Sequence, residues 1–187
     1  MKYIVRKTFW DYEKEEKWLN VMSAKGMALS DVSWCRYVFT DSPGNEFVYR
    51  IELLENLPAH PESMAYIRFL EDSGVEYIAS YSRWIYLRKK SSEGPFDIYS
   101  DIDSKIRHFK RISVYWSTMM FVELMIGLFN IIIGIVNLNL NSRLGNFSIG
   151  NIILGVSLAF LGLVFFRLGS PIRNKIKKLQ QEKFLRE

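Results

Sequence analysis

Two runs dominate the alternation of apolar and polar positions. From Ile112 to Val136 the chain carries Glu123 as its only charged residue, and from Ile149 to Leu168 it carries only Arg167. At 1.5 Å rise per residue, runs of 25 and 20 residues are each long enough to cross a hydrocarbon core of roughly 30 Å as a helix. Between them, residues 137–148 read NLNLNSRLGNFS, a polar stretch that suits a short turn. The pattern therefore predicts a helical hairpin in a membrane, with transmembrane helices over 112–136 and 149–168 joined by an extracytoplasmic link over 137–148.

The first ninety residues read differently. KYIVRKTFW is strand-like, and Asp11 is placed to cap a helix that carries Trp18, Leu19 and Met22 on one face and stops at Gly26. Met27 to Thr40 is rich in β-formers and reads as one strand. The turn residues Asp41-Ser42-Pro43-Gly44-Asn45 and the alternating FVYRIELL make a hairpin with it. Pro61 opens a second helix with Met64, Ile67 and Leu70 at helical spacing, Gly74 ends it, and VEYIASYSRWIYLRKK reads as a long final strand. The order βαββαβ predicts an α+β, ferredoxin-like domain over 1–90: a four-stranded antiparallel sheet with both helices on one face and the other face uncovered. Among its strand aromatics, Trp34, Tyr49, Tyr81 and Trp84 are candidates for a binding face that takes a partner, a second copy or a planar ligand. Core packing and cross-strand pairing are the simpler account of the same rings.

Charge sharpens the membrane reading. Residues 1–99 hold 13 Lys/Arg against 15 Asp/Glu, whereas residues 100–187 hold 12 against 5. The basic excess thus flanks the apolar runs, with Lys105, Arg107, Lys110 and Arg111 before the first, and Arg173, Lys175, Lys177, Lys178, Lys183 and Arg186 after the second. Arg143 alone is basic in the link. The positive-inside rule predicts both termini in the cytosol of a multi-pass cell-membrane protein, and with the basic excess beside the spans and no basic sheet face, no direct nucleic-acid contact is expected. The first residues lack an apolar core of signal-peptide length. The acidic residues Asp11, Glu13, Glu15 and Glu16 are read as the solvated first turn of a helix. A single Cys35, taken as a small apolar strand residue, and two histidines offer no metal-ligand spacing. The sequence shows no phosphate loop and no Ser/His/Asp or Cys/His set, so neither a catalytic residue nor a cofactor is expected.

The segments WLNVMSAKGMAL, SWCRYVF and YRIELL, in that order, resemble a family known only as domain of unknown function 2812, found mainly in Firmicutes. The resemblance covers about Lys2 to Lys90. It implies a membrane-anchored protein, because members often continue into paired spans, and a functional link to PadR-type transcriptional regulators, beside which members are often encoded. It supplies no catalytic residue.

Between the two halves, residues 91–99 are expected as a linker and residues 100–111 as a juxtamembrane helix with Ser100 at its cap and Ile102, Ile106 and Phe109 along a stripe. A basic cytosolic tail is expected over 169–187. Within the spans, Gly127 and Gly134, and Gly155, Gly162 and Gly169, recur every seven residues, which predicts grooves for close helix packing, within the hairpin or against a partner. Glu123, Asn130 and Asn137 recur at the same interval. A mid-bilayer carboxylate costs on the order of 2.5 to 3.5 kcal/mol on insertion scales, so this face is expected to turn from lipid. With a turn near Ser142, Ser157 and Asn151 come level with Glu123 and Asn130 and complete an intramembrane polar contact. These readings converge on a non-enzymatic membrane-anchored regulatory or sensing protein, with an accessory subunit of a membrane transporter as the alternative.

Overall fold

A computed structural model describes residues 1–99, 101–140 and 145–186. The cap expected at Ser100 and the turn expected at Ser142 lie outside the described residues. The chain forms two units, Met1–Asp101 and Ile102–Glu187.

The first unit is α+β and contains two copies of one βαββ pattern. In the first copy β1 (Lys2–Arg6) leads to α1 (Tyr12–Ala24), β2 (Met27–Ser33) and β3 (Arg36–Asp41). In the second, β4 (Phe47–Leu53) leads to α2 (Pro61–Asp72), β5 (Glu76–Tyr81) and β6 (Trp84–Lys90). Each copy makes its own antiparallel three-stranded sheet, in the orders β1-β3-β2 and β4-β6-β5. A shift of 48 residues carries Gly26 onto Gly74, both at positive φ where α1 and α2 end. The same shift carries the buried positions Glu15, Leu19 and Met22 of α1 onto Ser63, Ile67 and Leu70 of α2. It also carries the β-bulge between Leu29 and Asp31 onto that between Tyr77 and Ala79, with the pairs Leu29↔Phe39 and Tyr77↔Leu87 in matching register.

The α+β class holds, but two three-stranded sheets stand in place of the single four-stranded ferredoxin-like sheet. Both long segments expected as one strand fold back on themselves, at Trp34-Cys35 and at Ser82-Arg83. Neither pair contains Gly, Pro, Asn or Asp, the residues that ordinarily mark a two-residue hairpin turn. Cys35 and Ser82 instead adopt the left-handed conformation themselves, at φ 54° and 55°. Cys35 is accordingly a half-buried turn residue, whose carbonyl oxygen accepts from the Lys7 N–H at 3.0 Å.

Two apolar cores follow from the alternation. Leu19 and Met22 of α1 pack with Leu29, Tyr37 and Phe39 of the first sheet and with Phe47, Tyr49, Ile51 and Tyr86 of the second. Ile67 and Leu70 of α2 pack with Ile85, Leu87 and Val48 on the other side of the second sheet. That sheet is therefore covered on both faces, with Tyr49 and Ile51 of β4 in the first core and Val48 against the second. Phe96 and Ile98, in the segment expected as a linker, complete the second core.

The second unit is a pair of long helices, α3 (Ile102–Leu140) and α4 (Gly145–Arg186), packed antiparallel as a hairpin. Both contain stretches long and apolar enough to cross a membrane, with a mean hydropathy of 2.3 in their best windows. At 39 and 42 residues, each is about twice the length a span needs. The segment expected as a separate tail is thus helix, continuous through Pro171. Proline removes one backbone donor there, and nearby the Arg173 guanidinium donates to the Phe166 carbonyl oxygen at 2.7 Å. Where the start of α3 meets the end of α4, Lys183 pairs with Asp103 at 2.9 Å.

Candidate functional site

In the first unit the polar side chains of α1 are the most distinctive feature. Glu15 lies seven residues before Met22 and four before Leu19, so it shares their inward face. It is 8% exposed. Its Oε1 accepts from the Tyr37 and Tyr86 hydroxyls, both at 2.7 Å, which ties α1 to both sheets. Burial lifts its carboxyl above the usual range, and the two tyrosine bonds offset part of that rise. Burial, with Glu15 close by, also pushes the Tyr37 and Tyr86 hydroxyls far up, so both stay O–H donors. No cation pairs with Glu15 among the described residues.

The next residues bind a strand edge. Glu16 accepts from the Ile51 N–H at 3.0 Å. Asn20 accepts from the Tyr49 N–H at 2.9 Å and donates to the Tyr49 carbonyl at 3.2 Å. Ser23 donates to the Phe47 carbonyl at 2.6 Å and lies 3.3 Å from the Phe47 N–H. One helical face at spacing 4 and 3 thus matches alternate residues of β4, whose other edge pairs with β6. Glu16 also accepts from Arg50 at 3.1 Å, while burial leads the causes that lift its carboxyl. The expectation that Glu15 and Glu16 are solvated is therefore corrected. The signal was present in their spacing from Leu19 and Met22, but a run of four acids near a helix start also fits a dipole-matched first turn.

The structure distributes the candidate binding-face aromatics over different surroundings. Trp34 is in the β2–β3 turn and 76% exposed, whereas Tyr49 is fully buried in the first core and its hydroxyl accepts from the Leu29 N–H at 2.8 Å. Tyr81 and Trp84 are paired in register beside the β5–β6 turn. Trp84 stacks on Tyr12 with centroids 5.4 Å apart. Tyr81 and Trp84 come together; the other two do not join them. No cluster of three or more metal-ligating side chains exists among the described residues.

In the hairpin, the glycines lie where α3 and α4 touch. A Cβ on Gly127 would stand 2.8 Å from the Gly155 carbonyl oxygen, and one on Gly134 would stand 2.7 Å from that of Ser148. Gly162 faces Leu124 and Met120, and Gly169 faces Trp116. This seam places Glu123 nearly level with Leu161 and Gly162, about one turn from the depth of Ser157. Ser157 is exposed and donates to the Ile153 carbonyl one turn back, as Asn130 donates to that of Ile126, both at 2.8 Å.

Glu123 and Asn130 each precede a seam glycine by four residues and Asn137 follows Gly134 by three, which sets all three about 40° to 60° to one side of the seam. Asn151 precedes Gly155 by four, and antiparallel helices that face each other put equal offsets on the same flank. All four are half-buried. The opposite flank carries Leu124, Ile131, Ile152 and Ala159, the residues that crowd the glycines. The hairpin therefore has one apolar flank and one polar flank.

Comparison with curated proteins and with solved structures finds no match. Residues 11–121, which run from the cap of α1 into the apolar part of α3, match the family described as protein of unknown function (DUF2812). The chain belongs to the DUF2812 family.

Proposed function

We propose that the chain is a non-enzymatic, membrane-anchored regulatory protein whose α+β unit lies in the cytosol and binds a protein partner or small ligand. The observation that carries this reading is the direct passage from the α+β unit, which ends at Asp101, into α3 at Ile102. In this reading α3 runs unbroken from the boundary of the α+β unit into the apolar span, and binding to that unit biases how the span packs. The polar flank supports a second reading, an accessory subunit that assembles with a transporter through its helices. In both readings the termini are cytosolic, the bilayer is one partner, nucleic acid is not contacted directly, and any tie to a PadR-type regulator runs through protein.

Two measurements test it. In inside-out vesicles, protease should remove tags at both termini, and protection of either tag overturns the orientation. For binding, the full chain is captured from detergent-solubilised membranes beside a Trp34→Ala/Tyr81→Ala variant. A protein or small molecule held by the wild type and lost from the variant supports regulation by the domain. Identical retained material from both, or none from either, counts against it, and a transporter lost only on Glu123→Leu favours the second reading.

A further inference from the structure

The polar flank of the hairpin leads to one specific occupant, and the argument rests on the membrane reading above. In hydrocarbon, a polar side chain gains from any hydrogen-bonding partner because water supplies none. Asn130 uses one donor on its own helix. Glu123, half-buried, makes no hydrogen bond or ion pair among the described residues. The second helix cannot answer it, because the α4 positions on the same flank near that depth are Leu158 and Phe165. The hairpin's close packing is already taken up by the glycine seam and the apolar flank.

We propose that the polar flank is the interface with a second copy of this chain, related by a two-fold axis along the membrane normal. Such an axis brings each residue near the same residue of its twin at one depth, so α3 meets α3 with Glu123 against Glu123, Asn130 against Asn130 and Asn137 against Asn137. This pairing is self-complementary. An asparagine amide both donates and accepts, and two carboxyl groups bond to each other when one O–H faces one C=O. Three such pairs at seven-residue intervals form a ladder along α3, and each removes a polar group from lipid. A foreign helix would need its own polar groups at the same three depths; the twin has them by symmetry.

The test uses the full chain with Cys35→Ser, reconstituted in phosphatidylcholine/phosphatidylglycerol vesicles and bearing one new cysteine. Asn137→Cys and Leu138→Cys sit at adjacent depths on opposite flanks. Oxidation should give a disulfide-linked product at twice the chain mass from Asn137→Cys, at least ten-fold more than from Leu138→Cys. Adding Glu123→Leu should lower the Asn137→Cys product about ten-fold, whereas Glu123→Gln, which keeps a donor and an acceptor, should retain it. Circular dichroism confirms that each variant is helical. Equal products from both cysteines, none from either, or no effect of Glu123→Leu overturns the proposal. In native membranes, a product of any mass other than two chains also overturns it, since the flank then serves another protein. Flotation is scored first: a chain that does not float with the vesicles refutes the membrane reading itself.

Discussion

At the residue scale, Glu15 makes the sharpest prediction. Because burial raises its carboxyl, the folded state holds a proton that the unfolded chain releases, and Glu16 acts in the same direction. That contribution to stability is full below the ordinary value of 4.5 and is lost as pH rises through the raised folded value. Thermal unfolding of the α+β unit within the full chain, followed by near-ultraviolet circular dichroism, should therefore show melting falling as pH rises from 4 to 8. Glu15→Gln, which keeps an acceptor for Tyr37 and Tyr86, should flatten that slope; an unchanged slope would remove Glu15 as its source. Tyr86→Phe leaves a buried carboxyl with one hydroxyl donor fewer and should cost about 1 to 3 kcal/mol, read by the same melting curves. The residue chemistry was only half legible. The apolar stripe Trp18, Leu19 and Met22 located the buried face of α1, and counting back along it reaches Glu15, but a carboxylate on that face has no sequence signature until its two tyrosine donors, 22 and 71 residues away, are brought beside it.

At the element scale, boundaries came from local chemistry and pairing did not. Asp11 caps α1, Pro61 opens α2 and glycines end both helices, all of which the sequence shows because caps and breakers act within one turn. The hairpins at Trp34-Cys35 and Ser82-Arg83 were invisible because their residues do not favour positive φ, and the surrounding strand register holds them there. Gly26 is different. Its φ is +79° and a Cβ would stand 2.9 Å from the Ser42 carbonyl oxygen. Gly26→Ala should cost more than the roughly 1 kcal/mol typical of a left-handed site, and a melting temperature equal to wild type would exclude close packing at this turn. In the hairpin, Gly127→Leu should separate α3 from α4, because even a Cβ meets Gly155 backbone at 2.8 Å. An engineered disulfide between the helices, expected to form in the otherwise wild-type chain, should then fail to form.

At the scale of the whole molecule, the chain joins a duplicated βαββ unit to a two-helix hairpin. The hairpin was legible because hydropathy and flanking charge need no tertiary information. The duplication was not, because the two copies share positions of burial and almost no residues: Glu15 stands where the second copy has Ser63, and Trp18 where it has Tyr66. The copies also differ in what their helices do. Glu16, Asn20 and Ser23 occupy the backbone of β4, but their counterparts Met64, Arg68 and Glu71 are exposed, and among the described residues none of them bonds to β1. Helix α1 of the first copy thus covers the free edge of β4 in the second. An edge strand of seven residues as apolar as β4 would otherwise recruit like strands from other molecules. Asn20→Ala together with Ser23→Ala should leave most of the core in place while opening that edge, and the variant should form sedimenting, thioflavin-positive aggregates at concentrations where the wild type stays clear. The same helix that looks like a packing element is, in this light, a solubility device.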